Sequence, residues 1–278
     1  MKKMVVIVLI VWGLILVKTV PSYAGVPLNN LEGVGGIAFN PLAYTAGNST
    51  EEPNKHSKFS FDDFLSSKPQ IGTWYVNLHQ SKIDWATVGI AQTFFKRLEL
   101  SYGYENVSIT NVQDVQKHNF GAKLLVLEEK DYIPAVSVGT VLKHTTYHAA
   151  EDKTDFDYYI VATKLIKKTF PKPVLISGGL LSTKGKVLGV LGFDKERDEV
   201  LFGNIDVLPL PNVAVGFEYR QGAKFSDFKN ADYWDAHIAW FVNKDFSLVA
   251  AYVFTGDYKS TAATGLGNGV VLSAQYAF

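Results

Sequence analysis

The side chains best placed for chemistry are acidic and basic residues that lie two positions apart. Three such pairs stand out: Arg97 and Glu99, Glu218 and Arg220, and Asp235 and His237. A spacing of two puts both side chains on the same face of a β-strand. Such a face can bind a small charged solute at a constriction, or it can fill a narrow interior with structural ion pairs. These six residues are the predicted solute-binding set, and both interpretations stay open.

The same spacing rule predicts a longer set of side chains on the polar face of the strands described below. That face would hold Asn77, Arg97, Glu99, Glu105, Lys123, Asn204, Asp206, Glu218, Arg220, Asp235, His237 and Gln275. The signs are mixed, whereas an ion-selective pore usually lines its constriction with one sign. Structural ion pairs that fill a narrow lumen are therefore favoured over a solute pathway, and both interpretations stay open.

Catalytic and metal chemistry have weak sequence support. The chain has no cysteine, which excludes thiolate zinc sites and cysteine nucleophiles. His144 and His148 are four residues apart, but the His-Glu-x-x-His pattern is absent, and so is Gly-x-Ser-x-Gly. We predict no catalytic residue, no metal and no cofactor. A serine and a histidine can still meet from separate strands, so an enzyme acting on lipid remains an alternative.

The first 24 residues have the layout of a secretory signal. Lys2 and Lys3 precede an apolar run over residues 4–17, and Ser22 and Ala24 are small residues before a predicted cleavage after Ala24. The run is short for a spanning helix, which needs roughly 20 apolar residues. Cleavage would remove three lysines and leave 24 basic and 27 acidic residues in the mature chain. A net charge of −3 argues against a nucleic-acid partner.

Most of the remaining chain alternates with period two. In residues 269–278, Leu272 and Tyr276 share a face with the terminal Phe278, while Ser273 and Gln275 lie opposite. Such alternation predicts strands with unlike sides. The predicted strands cover residues 72–79, 83–95, 97–109, 118–128, 132–143, 156–167, 173–181, 212–221, 233–243, 246–256 and 269–278, and one more passes through Leu201, Ile205 and Val207.

Twelve strands satisfy the even number that transmembrane barrels of this kind have. The hydrophobic stretch 187–193 breaks the parity, so we place it in an outer loop over residues 182–198, above or inside the barrel. The outward faces, which bear Trp240, Leu248 and Leu272, are expected to meet lipid. The predicted fold is thus an all-β, single-chain, antiparallel up-and-down transmembrane barrel over residues 71–278.

Residues 25–70 do not join the strand pattern, and we expect them to form a periplasmic segment or a plug in the lumen. Three motifs carry a resemblance across the mature chain: the glycine-rich run 31–44, Ala91-Gln92-Thr93 with the following 96–103, and 218–221. Together they resemble a bacterial exported domain family of unknown function. That resemblance implies an outer-membrane barrel and brings no substrate or catalytic residue.

The sequence therefore predicts an exported barrel of the outer membrane of a Gram-negative type cell, without enzymatic activity. It would pass or bind small solutes, or else act as a filled barrel that supports a surface or export complex. Its expected partners are outer-membrane lipid, a possible small solute, and the barrel assembly machinery, which would meet the strand ending at Phe278.

Overall fold

Alternating apolar and polar side chains form strands here because each strand separates two different environments. The computed structural model describes residues 28–47, 67–110, 114–147 and 151–278. The predicted signal peptide and His148 lie outside the described residues. Within these ranges, no helix is long and apolar enough to cross a membrane.

The described residues form fourteen strands, of which the first two are very short. They are β1 (Leu28–Asn29), β2 (Gly35–Gly36), β3 (Gln70–Leu78), β4 (Ile83–Phe94), β5 (Leu98–Ile109), β6 (Val115–Leu127), β7 (Ala135–Tyr147), β8 (Lys153–Ile166), β9 (Val174–Gly185), β10 (Phe193–Leu210), β11 (Val213–Arg220), β12 (Tyr233–Phe241), β13 (Phe246–Phe254) and β14 (Asn268–Ala277).

Strands β3 to β14 form one closed antiparallel barrel of twelve strands. Each strand pairs with its neighbours in sequence, and β14 closes the ring on β3 with Leu272 opposite Tyr75. Closure leaves no unpaired strand edge, which a structure surrounded by hydrocarbon requires. The predicted fold class is confirmed, and each of the twelve predicted strands overlaps one observed strand.

The burial pattern is the reverse of that in a water-soluble protein. Among the described residues, Lys117, Glu99 and Glu218 are fully buried in the lumen, whereas Leu272 and Leu201 are more than half exposed on the outside. An exposed apolar belt around a charged interior is the distribution that a barrel in lipid requires. Outward aromatic pairs flank this belt, for example the stacked rings of Phe217 and Trp234 and the edge-to-face rings of Tyr276 and Phe278.

The two openings of the barrel differ. The terminal end is the opening where β3 begins at Gln70 and β14 ends at Ala277. The loop end is the opposite opening, with the connections 186–192, 221–232 and 255–267. Residues 182–198, expected to form an outer loop, belong partly to strands. Strands β9 and β10 are longer than predicted, and only residues 186–192 form the connection. This connection folds into the lumen, where Val187 and Val190 are buried.

Residues 28–47, called the plug below, lie inside the barrel. Its two short strands pair antiparallel, with Leu28 opposite Gly36. The apolar side chains of the plug pack against the inward side chains of the wall in two clusters. One cluster joins Leu31 and Phe39 to wall residues near the loop end, and the other includes Leu42, which is fully buried.

Candidate functional site

The plug enters and leaves the lumen at the terminal end. Near its start, the Asn29 amide donates a hydrogen bond of 2.8 Å to the backbone oxygen of Gln70. Near its other end, the backbone oxygen of Ala46 accepts a hydrogen bond from the Thr93 hydroxyl, one residue from the last residue of β4. The plug is therefore a looped segment with both of its ends at the same opening.

The plug backbone lies directly on the wall backbone at three glycines. Gly33 has a φ of +83°, in the left-handed region that favours glycine. A Cβ added there would lie 2.6 Å from the backbone oxygen of Tyr102, and one added to Gly89 would lie 2.7 Å from Gly33 Cα. Gly103 has the same role opposite Glu32, whose backbone oxygen would be 2.5 Å from an added Cβ. Larger residues at these positions would separate the plug from the wall.

Glu218 binds the turn of the plug at residues 38–40, called the far turn below. Its Oε2 accepts hydrogen bonds of 3.1 Å from the backbone N–H groups of Ala38 and Phe39. Its Oε1 accepts a third, of 2.8 Å, from Asn40. Three amides that converge on one carboxylate form a strong, charge-assisted contact.

Glu99 holds two other points of the plug. Its Oε1 accepts the Gly35 N–H at 2.9 Å, and its Oε2 accepts the Ala46 N–H at 2.7 Å. The Lys123 ammonium lies 2.9 Å from Glu99 Oε2 and donates to the backbone oxygen of Gly35 at 2.8 Å. This ion pair therefore binds both the donor and the acceptor of one plug residue.

Arg220 also binds the far turn. Its Nε donates a hydrogen bond of 2.9 Å to Asn40 Oδ1, and its Nη2 donates to the backbone oxygen of Phe39. The guanidinium carbon lies 5.8 Å from the centre of the Phe39 ring. Arg220 and Glu218 thus satisfy the carbonyl and amide groups of the same turn.

Glu32 is the plug's own charged group. It forms ion pairs with Lys143 and, at 3.4 Å, with Lys117. Lys117 also lies 2.8 Å from Glu105, and Lys143 lies 2.6 Å from Asp157. Burial acts to raise the pKa of Glu32, but the two nearby ammonium groups outweigh it and lower this pKa to about 2. Glu32 is therefore ionised at neutral pH.

A separate polar cluster lies on β10 to β12. The two ring nitrogens of His237 each lie 2.7 Å from a carboxylate oxygen, Nδ1 from Asp235 and Nε2 from Asp206. Asn204 donates a hydrogen bond of 2.6 Å to Asp206. Gly216 makes room for it, because a Cβ there would lie 2.5 Å from His237 Nε2. With both nitrogens engaged, this imidazole has no free lone pair for a metal or a hydroxyl nucleophile.

The structure separates the six predicted site residues into three groups. Glu99, Glu218 and Arg220 bind the plug, and Asp235 and His237 form the separate cluster. Arg97 does not line the lumen.

Arg97 precedes β5, at a turn where Phe95 and Lys96 have positive φ values. Its exposed guanidinium lies 2.8 Å from Glu128.

Asn77 also departs from the predicted lumen face. It faces outward and donates a hydrogen bond of 2.9 Å to Asp84. Its neighbours Val76 and Leu78 face inward, where they join the apolar cluster that contains Leu31 of the plug. The lumen near the loop end is apolar, so a polar side chain there does not mark the inward face.

Sequence reasoning missed four charged lumen residues: Glu32, Lys117, Lys143 and Asp157. The two lysines lie on the inward face of β6 and β7 by the same period-two rule, and extending each predicted strand would have found Lys117. Glu32 carried no such signal, because the plug has no regular period.

The connection 186–192 closes the lumen at the loop end. The Lys117 ammonium donates a hydrogen bond of 2.8 Å to the backbone oxygen of Leu188, and the Tyr147 hydroxyl donates one of 2.9 Å to that of Val190. Lys117 therefore contacts both this connection and Glu32 of the plug.

The buried charges of the described lumen do not cancel. Seven carboxylates face four cationic side chains, and the sum stays negative, at −2, when His237 donates from both ring nitrogens and carries a positive charge. The set comprises Glu32, Glu99, Glu105, Asp157, Asp206, Glu218 and Asp235 against Lys117, Lys123, Lys143 and Arg220. An excess of one sign in a low-dielectric interior favours cations over anions.

Comparisons with known proteins agree with this architecture. A family model described as "Protein of unknown function (DUF3034)" matches residues 25–275. No curated protein matches the chain. Among solved structures, the KdgM porin has a TM-score of 0.54 at 11% identity, covering 75% of this chain and 99% of that one. An outer membrane channel from Pseudomonas putida F1 has a TM-score of 0.48 at 12% identity, covering 82% and 99%. At such identities the likeness to KdgM shows the fold alone.

Proposed function

The chain belongs to the DUF3034 family, whose function is unknown, and we propose that it is an outer-membrane channel for small solutes that its own plug closes. The observation that carries this proposal is the plug itself, which fills the lumen and is bound there by charged wall residues. We place the protein in the outer membrane, because its apolar outer belt needs lipid and its fold is that of outer-membrane barrels.

The path of the plug supports a closed channel that can open. Asn29 and Ala46 both lie at the terminal end, so the plug can leave through that opening without threading a chain end past the wall. In barrels of this kind the turns at the terminal end face the periplasm. Opening would then release the plug towards the periplasm.

The chemistry of the contact also supports release. Glu99, Glu218 and Lys123 bind backbone amides and carbonyls of the plug, and water can replace each of these partners. A wall lined with such groups stays wetted once the plug has left. The net negative lumen then favours cationic or neutral solutes.

A filled structural barrel is the second candidate. The favouring observation is the burial of the plug, in which Leu42 and Ala43 have no exposed surface. If the plug never leaves, the protein would support a surface or export complex and would not conduct.

Conductance of the refolded protein in planar bilayers separates the two candidates. An added Cβ at Gly121 would lie 2.9 Å from Val34 Cγ2, within reach of a disulfide, whose Cβ atoms lie about 3.5–4.5 Å apart. We therefore design Val34→Cys with Gly121→Cys, in a Ser101→Ala background that removes an oxygen 2.2 Å from the new Cβ.

The channel proposal expects openings in the reduced protein and none in the oxidised one. The chain has no native cysteine, so each single cysteine variant is a clean control. A second variant, Glu99→Gln with Glu218→Gln, should open more often. If neither the wild type nor this double variant conducts, the filled barrel is correct.

A further inference from the structure

Two neighbouring turns at the terminal end of the barrel expose both lysines and large apolar side chains. Residues 128–134 connect β6 to β7, and residues 167–173 connect β8 to β9. The turns lie side by side, because the Lys164 ammonium near the end of β8 donates to the backbone oxygen of Lys130 and lies 2.9 Å from Glu129 Oε1. The two turns together are called the basic platform below.

The second turn of the platform is strongly basic. Its three lysines are exposed, and no acidic residue lies among residues 167–173. None of these lysines forms an ion pair with another described residue. They are Lys167, Lys168 and Lys172. Three ammonium groups so close in the chain attract anions.

The acidic residues of the first turn do not neutralise these lysines. Glu128 lies 2.8 Å from Arg97, and Glu129 lies 2.9 Å from Lys164. The two remaining charges of this turn, one of each sign, cancel. With these three pairs counted as neutral, the platform keeps a charge of +3 from the three lysines of the second turn.

Large apolar side chains flank the lysines. Tyr132 is 98% exposed and Phe170 is 48% exposed. The first turn is tight, since the backbone N–H groups of Lys130 and Ile133 each donate to the other residue's oxygen, at 2.9 and 3.3 Å. The exposure of Tyr132 is therefore fixed by a two-residue hairpin turn. Aromatic side chains exposed beside basic ones fit the interface of a membrane.

The platform lies at the edge of the lipid-facing belt. Val126 and Leu127, at the end of β6, are 49% and 43% exposed and come directly before the first turn. Ile133, on the other side of that turn, is exposed as well. Lipid headgroups lie at this level, whereas a soluble protein would have to reach past them. The position therefore favours lipid as the partner.

We propose that the basic platform binds the phosphate headgroups of anionic phospholipids in the leaflet around the terminal end. The lysine ammonium groups would donate to phosphate oxygens, and Tyr132 and Phe170 would lie at the level of the glycerol groups. Each lysine near an anionic surface strengthens binding about fivefold, so three lysines favour an anionic over a zwitterionic headgroup by about tenfold or more. This inference does not depend on whether the barrel conducts.

The test uses the full-length barrel refolded into phosphatidylcholine vesicles. The chain has no cysteine, so Thr169→Cys in the exposed second turn carries a single fluorescent label between the lysines. The vesicles contain a small fraction of phosphatidylglycerol or phosphatidylcholine with a nitroxide quencher near the glycerol end of one acyl chain. We expect phosphatidylglycerol to quench the label with an affinity about tenfold higher or more, and high salt to reduce this preference.

Variants separate the platform from the overall charge of the protein. Replacement of the three lysines of the second turn by glutamine should lower the preference for phosphatidylglycerol to about twofold or less. The matched control makes the same change in three exposed lysines of the loop end and should leave the preference unchanged. These control positions are Lys82, Lys224 and Lys229. Gel mobility without boiling shows that each barrel is folded.

Three results would overturn the inference. Equal quenching by the two lipids in the parent protein would mean that the platform does not select anionic headgroups. Loss of the preference when glycerol phosphate is added at the concentration of the nitroxide lipid would assign the surface to free phosphate compounds. No quenching by either lipid would put the second turn in water and leave the platform to a soluble acidic partner.

Discussion

Glu218→Gln is the sharpest perturbation of the plug. The carboxylate accepts three backbone hydrogen bonds, from Ala38, Phe39 and Asn40. The neutral amide keeps one oxygen acceptor and turns an NH₂ group towards N–H donors. Charge-assisted bonds are about twice as strong as neutral ones, so the loss is about 1 kcal/mol for each bond. The plug-bound state should lose about 3 kcal/mol, which corresponds to about a 150-fold shift in the plug equilibrium.

Chemical labelling of a buried plug residue measures that shift. Ala43 has no exposed surface, and the chain has no cysteine, so Ala43→Cys is a single reporter. A maleimide in excess reacts only when the plug has left the lumen. In this background, Glu218→Gln should raise the labelling rate by about the same factor, about 150-fold.

Matched variants test whether the effect belongs to the plug contact. Glu99→Gln removes the charge from two plug bonds and should give a smaller increase, because about 2 kcal/mol is lost. Glu128→Gln is the control, since that carboxylate pairs with Arg97 at the terminal end, and its labelling rate should not change. Gel mobility without boiling shows that each barrel is folded. Equal labelling rates in Glu218→Gln and the parent would refute the reasoning.

Three further predictions concern the plug and the membrane face. The pKa of Glu32 lies at about 2, below its usual 4.5, so its ionised form stabilises the plug above pH 4.5, and this contribution is lost as pH falls through about 2. The open probability in bilayers should therefore rise as pH falls over that interval, and Glu32→Gln should flatten the rise. Gly33→Ala should raise Ala43→Cys labelling, since the new Cβ meets the backbone oxygen of Tyr102 at 2.6 Å; unchanged labelling would mean the plug does not rest on this wall. Leu272→Lys should cost about 2–4 kcal/mol of folding stability in lipid vesicles, measured by denaturant titration against Leu272→Ala; equal stability would place this face outside the membrane.

The barrel could be predicted from the sequence because, in a strand with lipid on one side, every second residue is apolar. That rule correctly placed Glu99, Glu218 and Asp235 in the lumen. It failed at Asn77, where the lumen is apolar and an outward polar residue pairs with Asp84. It also failed at Arg97, where the strand had not yet begun. In both cases the local environment departed from the average that the rule assumes.

The contacts of the plug could not be predicted in the same way. Glu218 meets residues about 180 positions earlier in the chain, and no sequence spacing encodes such a pairing. Gly33 and Gly103 signal a close backbone approach, but the partner of each becomes known only once the barrel is closed. The sequence left residues 25–70 with two placements, and the structure puts 28–47 in the lumen.

The lumen carries charges of both signs because its wall must bind the plug. An irregular segment inside a barrel cannot pair its amides and carbonyls with a strand, so the wall must supply the partners. Carboxylates such as Glu218 satisfy its N–H groups, and cations such as Lys123 and Arg220 satisfy its carbonyls. These charges therefore serve closure in the plugged state, and only their net negative sum bears on the solute. Asp235 differs, because its hydrogen bond joins it to His237 of the wall and not to the plug.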